Sequence, residues 1–264
     1  MCPNVRPGWS ATSLVLRAGT VGTNKIAGVR SGASGYVHGM PNAPRLIPTT
    51  EPKDAEAVVL VLHGGASRRD NPMVSPTQLS VLRMIPVARR VARAGAKRLA
   101  VYRVLNSTRG WDTTHTPVDD ARWAIAQVEE RLGTSLPIGL VGHSLGGRAA
   151  ILAGAEPGVQ SVVALNPWVY PQDGDVDLSG RQVLVAHGTE DRIADPAKAK
   201  EAARRISRST DVSFVDVRGG KHAMLARHGT FDGLAADFTA GVLLDGHQPG
   251  VASRALAGDM AFEV

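Results

Sequence analysis

The sequence predicts an α/β protein with a mostly parallel central sheet and helices on both of its faces. Short runs rich in Val, Leu and Ile alternate repeatedly with helical patterns along the chain. These runs are continuously apolar, which is typical of parallel strands buried on both faces. The chain has 264 residues, 43% of them hydrophobic, and is therefore long enough to bury a core on each side of a sheet.

Six apolar runs are predicted to form the strands of this sheet. Most of them end at a turn that contains Gly or Asn. In chain order the runs are residues 57–62, 99–104, 138–141, 159–165, 182–186 and 212–217. A further short run, residues 45–47, is a candidate for an added edge strand.

Helical patterns occupy residues 78–94, 117–132, the Ala-rich stretch after 144, 196–207 and 231–244. Pro86 lies inside the first pattern and is expected to kink or divide that helix, because proline lacks a backbone N–H. Pro117 opens the second pattern and Gly133 follows its end, which is the usual order of these two residues around a helix. The basic stretch 83–98 is interpreted as the solvated face of the first helix.

The two ends of the chain differ from the patterned region. Residues 1–43 are dominated by Gly, Ser, Ala, Thr and Pro without periodicity, which predicts a disordered or poorly ordered leader. Met40, close to the end of this leader, is an alternative start of translation. Residues 44–245 are predicted to form the folded domain, and residues 246–264 a loose C-terminal tail.

The distribution of charge argues against a nucleic-acid partner. The net charge is +6, with 30 basic and 24 acidic residues. Residues 1–50 contain five of the basic residues and no Asp or Glu, so the rest of the chain has 25 basic against 24 acidic residues. A nearly neutral body lacks the electrostatic surface that nucleic-acid binding requires.

Composition also limits the other partners. No apolar run approaches the about 20 residues that a membrane-spanning helix needs, so no integral membrane segment is expected. The single cysteine, Cys2, excludes an intramolecular disulfide and fits a reducing compartment, and we expect a cytoplasmic protein. The histidines lack ligand-like spacing with Cys or carboxylates, so neither a metal site nor a cofactor is expected.

Residues 142–146, Gly-His-Ser-Leu-Gly, are placed between a predicted strand and a predicted helix. G-x-S-x-G in this context is typical of a nucleophile elbow, where Ser144 lies on a sharp, strained turn. Gly142 and Gly146 flank the turn because side chains there would collide. The helix that follows directs its first N–H groups at the site, with that of Leu145 free to bind an oxyanion. The motif predicts a serine hydrolase.

A nucleophilic serine needs a base and a group that orients the base. In an open parallel sheet such groups collect where the strands end. Asp191 follows the predicted strand 182–186, and His222 follows the last predicted strand. Asp191 comes 47 residues after Ser144, and His222 comes 31 residues after Asp191. Glu190 and Asp195 compete with Asp191 for the role of the acid.

Four motifs together resemble those of the α/β-hydrolase superfamily over about residues 53–245. They are the elbow, Leu62–Gly65 (Leu-His-Gly-Gly), His187–Asp191 (His-Gly-Thr-Glu-Asp) and Gly220–His222 (Gly-Lys-His). The likeness is greatest to small esterases and dienelactone-hydrolase-like members. It implies that Ser144 attacks an acyl carbonyl, His222 transfers the proton, and Asp191 holds and stabilises the imidazolium.

The resemblance also implies an oxyanion hole formed by the N–H of Leu145 and an N–H of the loop after the first predicted strand. Gly65 is the preferred donor in that loop and Ala66 the alternative. The remaining histidines have other predicted places. Residues His63, His143 and His187 are expected to be structural members of their turns, and His115 and His228 to be exposed.

The substrate is predicted only by class. About fifteen residues separate Leu165 from Arg181, too few for a helical cap, so the site is expected to be open. Trp168 and Trp111 are candidates for pocket residues, and simple packing is the alternative for each. We expect a small-molecule acyl ester or thioester, cleaved by a monomer or small homo-oligomer. A lactone or dienelactone hydrolase, or a non-catalytic binding protein on the same fold, are the alternatives.

Overall fold

The structure is a computed structural model that describes residues 43–65, 74–111, 114–133, 135–245, 247 and 249–264. Eight strands of this part of the chain form one sheet. The strands are β1 (Arg45–Thr50), β2 (Ala57–Leu62), β3 (Leu99–Leu105), β4 (Ile138–His143), β5 (Val159–Leu165), β6 (Gln182–Gly188), β7 (Val212–Val217) and β8 (Ala261–Glu263).

The order of the strands across the sheet is β1-β3-β2-β4-β5-β6-β7-β8. All neighbouring strands are parallel except β1, which runs antiparallel to β3. The predicted mostly parallel α/β sheet is confirmed. Because β2 and β4 to β7 run in the same direction, the loops that follow them meet at one edge of the sheet.

Seven α-helices and one 3₁₀ turn lie between or after the strands in the described ranges. The elements are α1 (Leu79–Leu82), α2 (Met84–Ala94), α3 (Thr116–Leu132), α4 (Leu145–Ala153), the 3₁₀ turn Pro171–Asp175, α5 (Pro196–Ile206), α6 (His228–Leu243) and α7 (Ser253–Leu256). The structure describes every residue between β5 and β6, and the 3₁₀ turn is the only regular element among them. No cap domain is therefore inserted between these two strands.

Both faces of the sheet are buried, as the continuous apolar strands predict. Along β2, Val58 and Leu60 pack into a core with residues of α3, α4 and α5. Val59 and Val61 point to the opposite face and pack into a second core with α2 and α6. Helices therefore cover the sheet from both sides.

The first predicted helix is divided in two, as expected from Pro86. The break lies at Arg83, where α1 ends and α2 begins, and Pro86 occupies the first turn of α2. In the first turn the missing N–H costs no intrahelical hydrogen bond. Pro117 likewise lies in the first turn of α3, and Gly133 ends that helix with a left-handed φ of 64°.

The prediction of a loose tail at 246–264 is wrong for the described residues of that segment. Residues 261–263 form β8, which pairs in parallel with β7, and Phe262 is buried in the second core. Arg218 also forms an ion pair with Glu263. A strand of three residues is too short to show a periodicity in the sequence, although its pairing buries a large side chain.

At the other end, the candidate edge strand 45–47 is part of β1, which extends to Thr50. The predicted leader, except for residue 43, lies outside the described residues. No helix of the described residues is both long and apolar enough to span a membrane.

Candidate active site

Ser144 stands alone between the end of β4 and the start of α4. Its backbone has φ 55° and ψ −119°, a strained conformation that residues with a side chain rarely adopt. The Ser144 N–H donates to the carbonyl of Leu165, and the Ser144 carbonyl accepts the N–H of Trp168 at 3.0 Å. Hydrogen bonds to the residues that end and follow β5 therefore hold the strained turn in place.

The two glycines of the motif are required by close contacts of the backbone. A Cβ atom on Gly142 would lie 2.0 Å from the carbonyl oxygen of Gly146. A Cβ atom on Gly146 would lie 2.4 Å from the carbonyl oxygen of Leu62. Both distances are far shorter than any real contact of a Cβ atom, so the tight turn fits only glycine at these positions.

The side chains of Ser144, His222 and Asp191 are brought together in one hydrogen-bonded row. The Nε2 of His222 lies 3.0 Å from the Ser144 Oγ, and its Nδ1 lies 2.8 Å from the Asp191 Oδ2. Since a carboxylate only accepts, the Nδ1–H of His222 donates to Asp191 and leaves Nε2 to accept the serine hydroxyl. This is the arrangement in which an imidazole can remove the serine proton.

Asp191 is oriented by its own loop. Its Oδ1 accepts the backbone N–H groups of Ile193 at 2.8 Å and of Ala194 at 3.0 Å, and its Oδ2 lies 3.4 Å from the Nε2 of His187. Burial alone would raise the pKa of Asp191, but hydrogen bonds from His187, His222 and Ile193 outweigh it and hold the pKa well below its ordinary value. The carboxyl group is therefore ionised at neutral pH.

The two competing acids lie elsewhere. Asp195 is the N-cap of α5, where its side chain accepts the N–H of Ala197 at 2.9 Å. Glu190 is exposed, and its carboxylate lies 3.8 Å from the Lys221 ammonium. Of the three candidates, only Asp191 is within hydrogen-bond distance of His222.

His143, next to the serine, is fixed in the neutral form. Burial, the neighbouring His222 and Arg83 together lower its pKa to about 3, against the opposing effect of its hydrogen bond to the His222 backbone and of Asp191. A neutral His143 donates its Nε2–H to the carbonyl oxygen of His222 at 2.8 Å. It thus supports the backbone of the histidine that contacts Ser144.

The other histidines have structural or surface positions. His63 is buried after β2, where it donates its Nδ1–H to the Gly64 carbonyl and its Nε2 accepts the N–H of Asn106. His115 and His228 are exposed. In the part of the chain that the structure describes, no three His, Cys, Asp or Glu side chains gather as metal ligands would.

The two predicted oxyanion donors are backbone N–H groups that lie after β4 and after β2. Leu145 is the first residue of α4, directly after Ser144. Gly65 follows β2, and a Cβ atom there would lie 1.7 Å from the carbonyl oxygen of Arg109, so its backbone packs against the loop after β3. Ala66, the alternative donor, lies outside the described residues.

The two candidate pocket tryptophans differ in their surroundings. Trp168 is 39% exposed next to the serine turn. Trp111 packs against the core, with the guanidinium of Arg148 4.2 Å from its ring centroid. Arg148 also forms two hydrogen bonds to the buried carboxylate of Asp173, at 2.8 and 3.0 Å. One face of the Trp111 ring is therefore occupied by Arg148.

Sequence reasoning missed one arginine that supports the loop after His222. Arg83 belongs to the basic stretch that is predicted to be a solvated face, but its side chain is only 9% exposed. It donates to the carbonyls of Ala223 and Met224 and forms an ion pair with Asp232 at 2.8 Å. No signal in the sequence separates Arg83 from its exposed basic neighbours, because its partners lie in the loop after His222 and in α6.

A family model described as the alpha/beta hydrolase family matches residues 122–240, from within α3 to within α6. The matched range includes Ser144, Asp191 and His222. Among curated proteins, no sequence matches the chain.

Solved structures share the fold at low sequence identity. The ferulic-acid-bound Est1E from Butyrivibrio proteoclasticus is 14% identical, with a TM-score of 0.55 over 75% of this chain and 94% of its own. An alpha-beta serine hydrolase homologue from Coxiella burnetii is 19% identical, with a TM-score of 0.54 over 75% and 98%. A truncated carbohydrate esterase from gut microbiota is 14% identical, with a TM-score of 0.57 over 74% and 89%.

The family match supports a hydrolase, and the solved structures support the fold. The chain therefore has the α/β-hydrolase fold, and its resemblance to α/β hydrolases is confirmed by the family match over residues 122–240.

Proposed function

We propose that this protein is a serine hydrolase that cleaves a small acyl ester or thioester through an acyl-enzyme. One observation carries the proposal: His222 lies within hydrogen-bond distance of both the Ser144 hydroxyl and the Asp191 carboxylate. The strained backbone of Ser144 adds support, since strain of this kind concentrates at functional sites.

In the first half of the reaction the Ser144 Oγ forms a bond to the acyl carbonyl carbon while Nε2 of His222 takes the hydroxyl proton. The carbonyl oxygen becomes an oxyanion, which the N–H groups of Leu145 and Gly65 stabilise. The tetrahedral intermediate then breaks the bond to the leaving group. The alcohol or thiol departs with the proton that His222 returns to it, and the acyl group stays on Ser144.

In the second half a water molecule attacks the acyl-enzyme. His222 takes one of its protons, and collapse of the second tetrahedral intermediate breaks the bond to the Ser144 Oγ. The proton passes from His222 to the serine oxygen, and the carboxylic acid leaves. Asp191 remains ionised throughout, because its pKa is far below neutrality, and it stabilises the imidazolium in both halves.

The absence of a cap between β5 and β6, all of whose residues the structure describes, supports a small, freely entering substrate. Trp168 is the preferred pocket residue because its side chain is partly exposed beside the serine turn. Contact of Trp111 with substrate stays a prediction, and Arg148 covers one face of its ring. One of the neighbours is named a carbohydrate esterase, which favours an acyl ester over a lactone or dienelactone.

A fluorophosphonate probe and a short p-nitrophenyl ester test the proposal together. The wild type is expected to hydrolyse the ester and to be labelled on Ser144. Ser144→Ala is expected to lose the label and at least about 10⁴-fold in kcat/KM, with an unchanged melting temperature. Labelling that persists in the variant would contradict the assignment of the nucleophile.

A panel of matched acyl substrates then separates the remaining alternatives. The thioester and the lactone are compared with an ester of the same acyl length, and Ser144→Ala is the control for background hydrolysis. The ester or thioester is expected to have the highest kcat/KM. A wild type that binds acyl compounds but turns over none of them, and takes no label, would instead favour the non-catalytic binding protein.

A further inference from the structure

Asn166 follows β5 and is fully buried between two loops. We call residues 188–194 the acid loop and residues 218–227 the histidine loop. The Oδ1 of Asn166 accepts the N–H of Gly188 in the acid loop at 2.7 Å. Its Nδ2 donates to the carbonyls of Lys221 at 3.0 Å and His222 at 3.2 Å in the histidine loop. A single side-chain amide therefore joins the two loops that contain Asp191 and His222.

The chemistry of this contact suits an amide, which can accept with its oxygen and donate twice with its nitrogen. The acid loop offers a donor and the histidine loop offers two acceptors, so the bridging group must accept on one side and donate on the other. A carboxylate only accepts, and an apolar side chain does neither. Asn166 also has a φ of 42°, in the left-handed region that asparagine tolerates better than most residues. Its own N–H donates to the Ala186 carbonyl of β6 at 2.8 Å, which fixes the amide relative to the sheet.

The carbonyl of His222 is held from a second side as well. It accepts the Nε2–H of His143, the residue that precedes Ser144. The backbone of His222 is thus tied both to the strand that presents the serine and, through Asn166, to the loop that presents the acid. With its carbonyl held in this way, the His222 side chain has little freedom to leave the line between Ser144 and Asp191.

We propose that Asn166 is a positioning residue that fixes His222 relative to Asp191. The amide makes no contact with the reacting atoms and acts through the backbone of the two loops. The kinetic part of the inference rests on the proposed serine-hydrolase function. The geometric part, the dependence of the His222–Asp191 hydrogen bond on Asn166, can be measured without any substrate.

The first test is Asn166→Asp, a substitution of equal shape. It keeps an acceptor for Gly188 but turns a carboxyl oxygen toward the carbonyls of Lys221 and His222, so the histidine loop is expected to shift away. A displacement near 1 Å lowers kcat by about 10- to 100-fold, and KM for the p-nitrophenyl ester is expected to change less than about twofold. Asp237→Asn is the matched control, because the buried Asp237 carboxylate in α6 accepts the N–H of Val251 and, among the described residues, has no hydrogen bond to the two loops.

A second variant tests the same role of Asn166 in case Asn166→Asp does not fold. Asn166→Gly removes all three side-chain hydrogen bonds without adding charge, and glycine adopts the left-handed φ without strain. The same loss in kcat at nearly constant KM is expected. A merely structural role would lower the melting temperature and leave kcat at the wild-type value in both Asn166 variants.

The substrate-free readout is the low-field proton NMR signal of the His222 Nδ1–H, assigned by its absence in Asp191→Asn. We expect it to shift or broaden in both Asn166 variants and to stay in place in Asp237→Asn. Wild-type signal and kcat in a folded Asn166 variant would overturn the inference. If the signal responds but the wild type hydrolyses no ester, the proposed function fails while the positioning role of Asn166 stands.

Discussion

Asp191→Asn is expected to remove most of the activity through the hydrogen-bond geometry of one carboxyl group. The Oδ1 of Asp191 accepts two backbone N–H groups, those of Ile193 and Ala194. An asparagine at position 191 must therefore place its carbonyl oxygen where Oδ1 lies, because an NH₂ group in that place would face two N–H donors. The NH₂ group is then forced to point at the Nδ1 of His222, at the place where the Oδ2 of Asp191 accepts the hydrogen bond of the Nδ1–H.

His222 can meet an NH₂ group only by accepting at Nδ1, which moves its proton to Nε2. That nitrogen faces the Ser144 Oγ at 3.0 Å and, once protonated, can no longer accept the serine proton. A triad histidine in the wrong tautomer costs about 10⁴ in kcat, equivalent to about 5.4 kcal/mol of barrier. The backbone hydrogen bonds of the acid loop survive, so the melting temperature is expected to change little.

The assay is kcat/KM on a short p-nitrophenyl ester, with thermal unfolding measured in parallel. Asp195→Asn is the control, since Asp195 caps α5 and asparagine is an equally good N-cap, and it is expected to stay within about twofold of wild type. More than about a tenth of wild-type activity in Asp191→Asn would refute the tautomer argument. An equal loss in Asp195→Asn would refute the choice of the acid.

Two further predictions concern stability and are measured by chemical unfolding. Gly142→Ala is expected to lower the free energy of unfolding by more than about 3 kcal/mol, because its Cβ would meet the Gly146 carbonyl. Gly180→Ala is the control: with φ 76° and open space around it, it is expected to lower the free energy of unfolding by about 1–2 kcal/mol. Similar losses in Gly142→Ala and Gly180→Ala would mean that the backbone of the serine turn can shift to make room for the added Cβ. Phe262→Ala removes a buried side chain and is expected to lower the free energy of unfolding by about 3 kcal/mol. Leu225→Ala, at a side chain that is 72% exposed, is expected to lower it by less than about 0.5 kcal/mol. A cost below about 1 kcal/mol at Phe262 would restore the prediction of a loose tail.

The central part of the fold could be predicted because its signals are local in the sequence. Each buried parallel strand is a continuous apolar run, and such a run needs no knowledge of its neighbours. Once the strands were known to be parallel, residues that follow different strands had to meet at one edge. Asp191 and His222 could therefore be chosen with Ser144 before their distances were known.

The parts that could not be predicted depend on contacts between distant residues. β8 is recognised only by its pairing with β7, because three residues contain no periodicity. Asn166 follows the end of a strand and carries no motif of its own. Its side-chain hydrogen bonds join it to Gly188, which is 22 positions away, and to Lys221 and His222, which are 55 and 56 positions away. Arg83 resembles its exposed basic neighbours, and only the position of the histidine loop gives it a buried set of partners.

The two outer strands of the sheet have a consequence for how copies of this protein meet. An open strand edge is a template on which another chain can add a strand, and long flat edges promote aggregation. β1 contains Pro48, which has no N–H to offer, and its register with β3 shifts between Pro48 and Thr50. β8, at the opposite end, is only three residues long. Neither edge is a good template for sheet extension, so association between copies is expected to use helical or loop surfaces rather than continuous β-pairing.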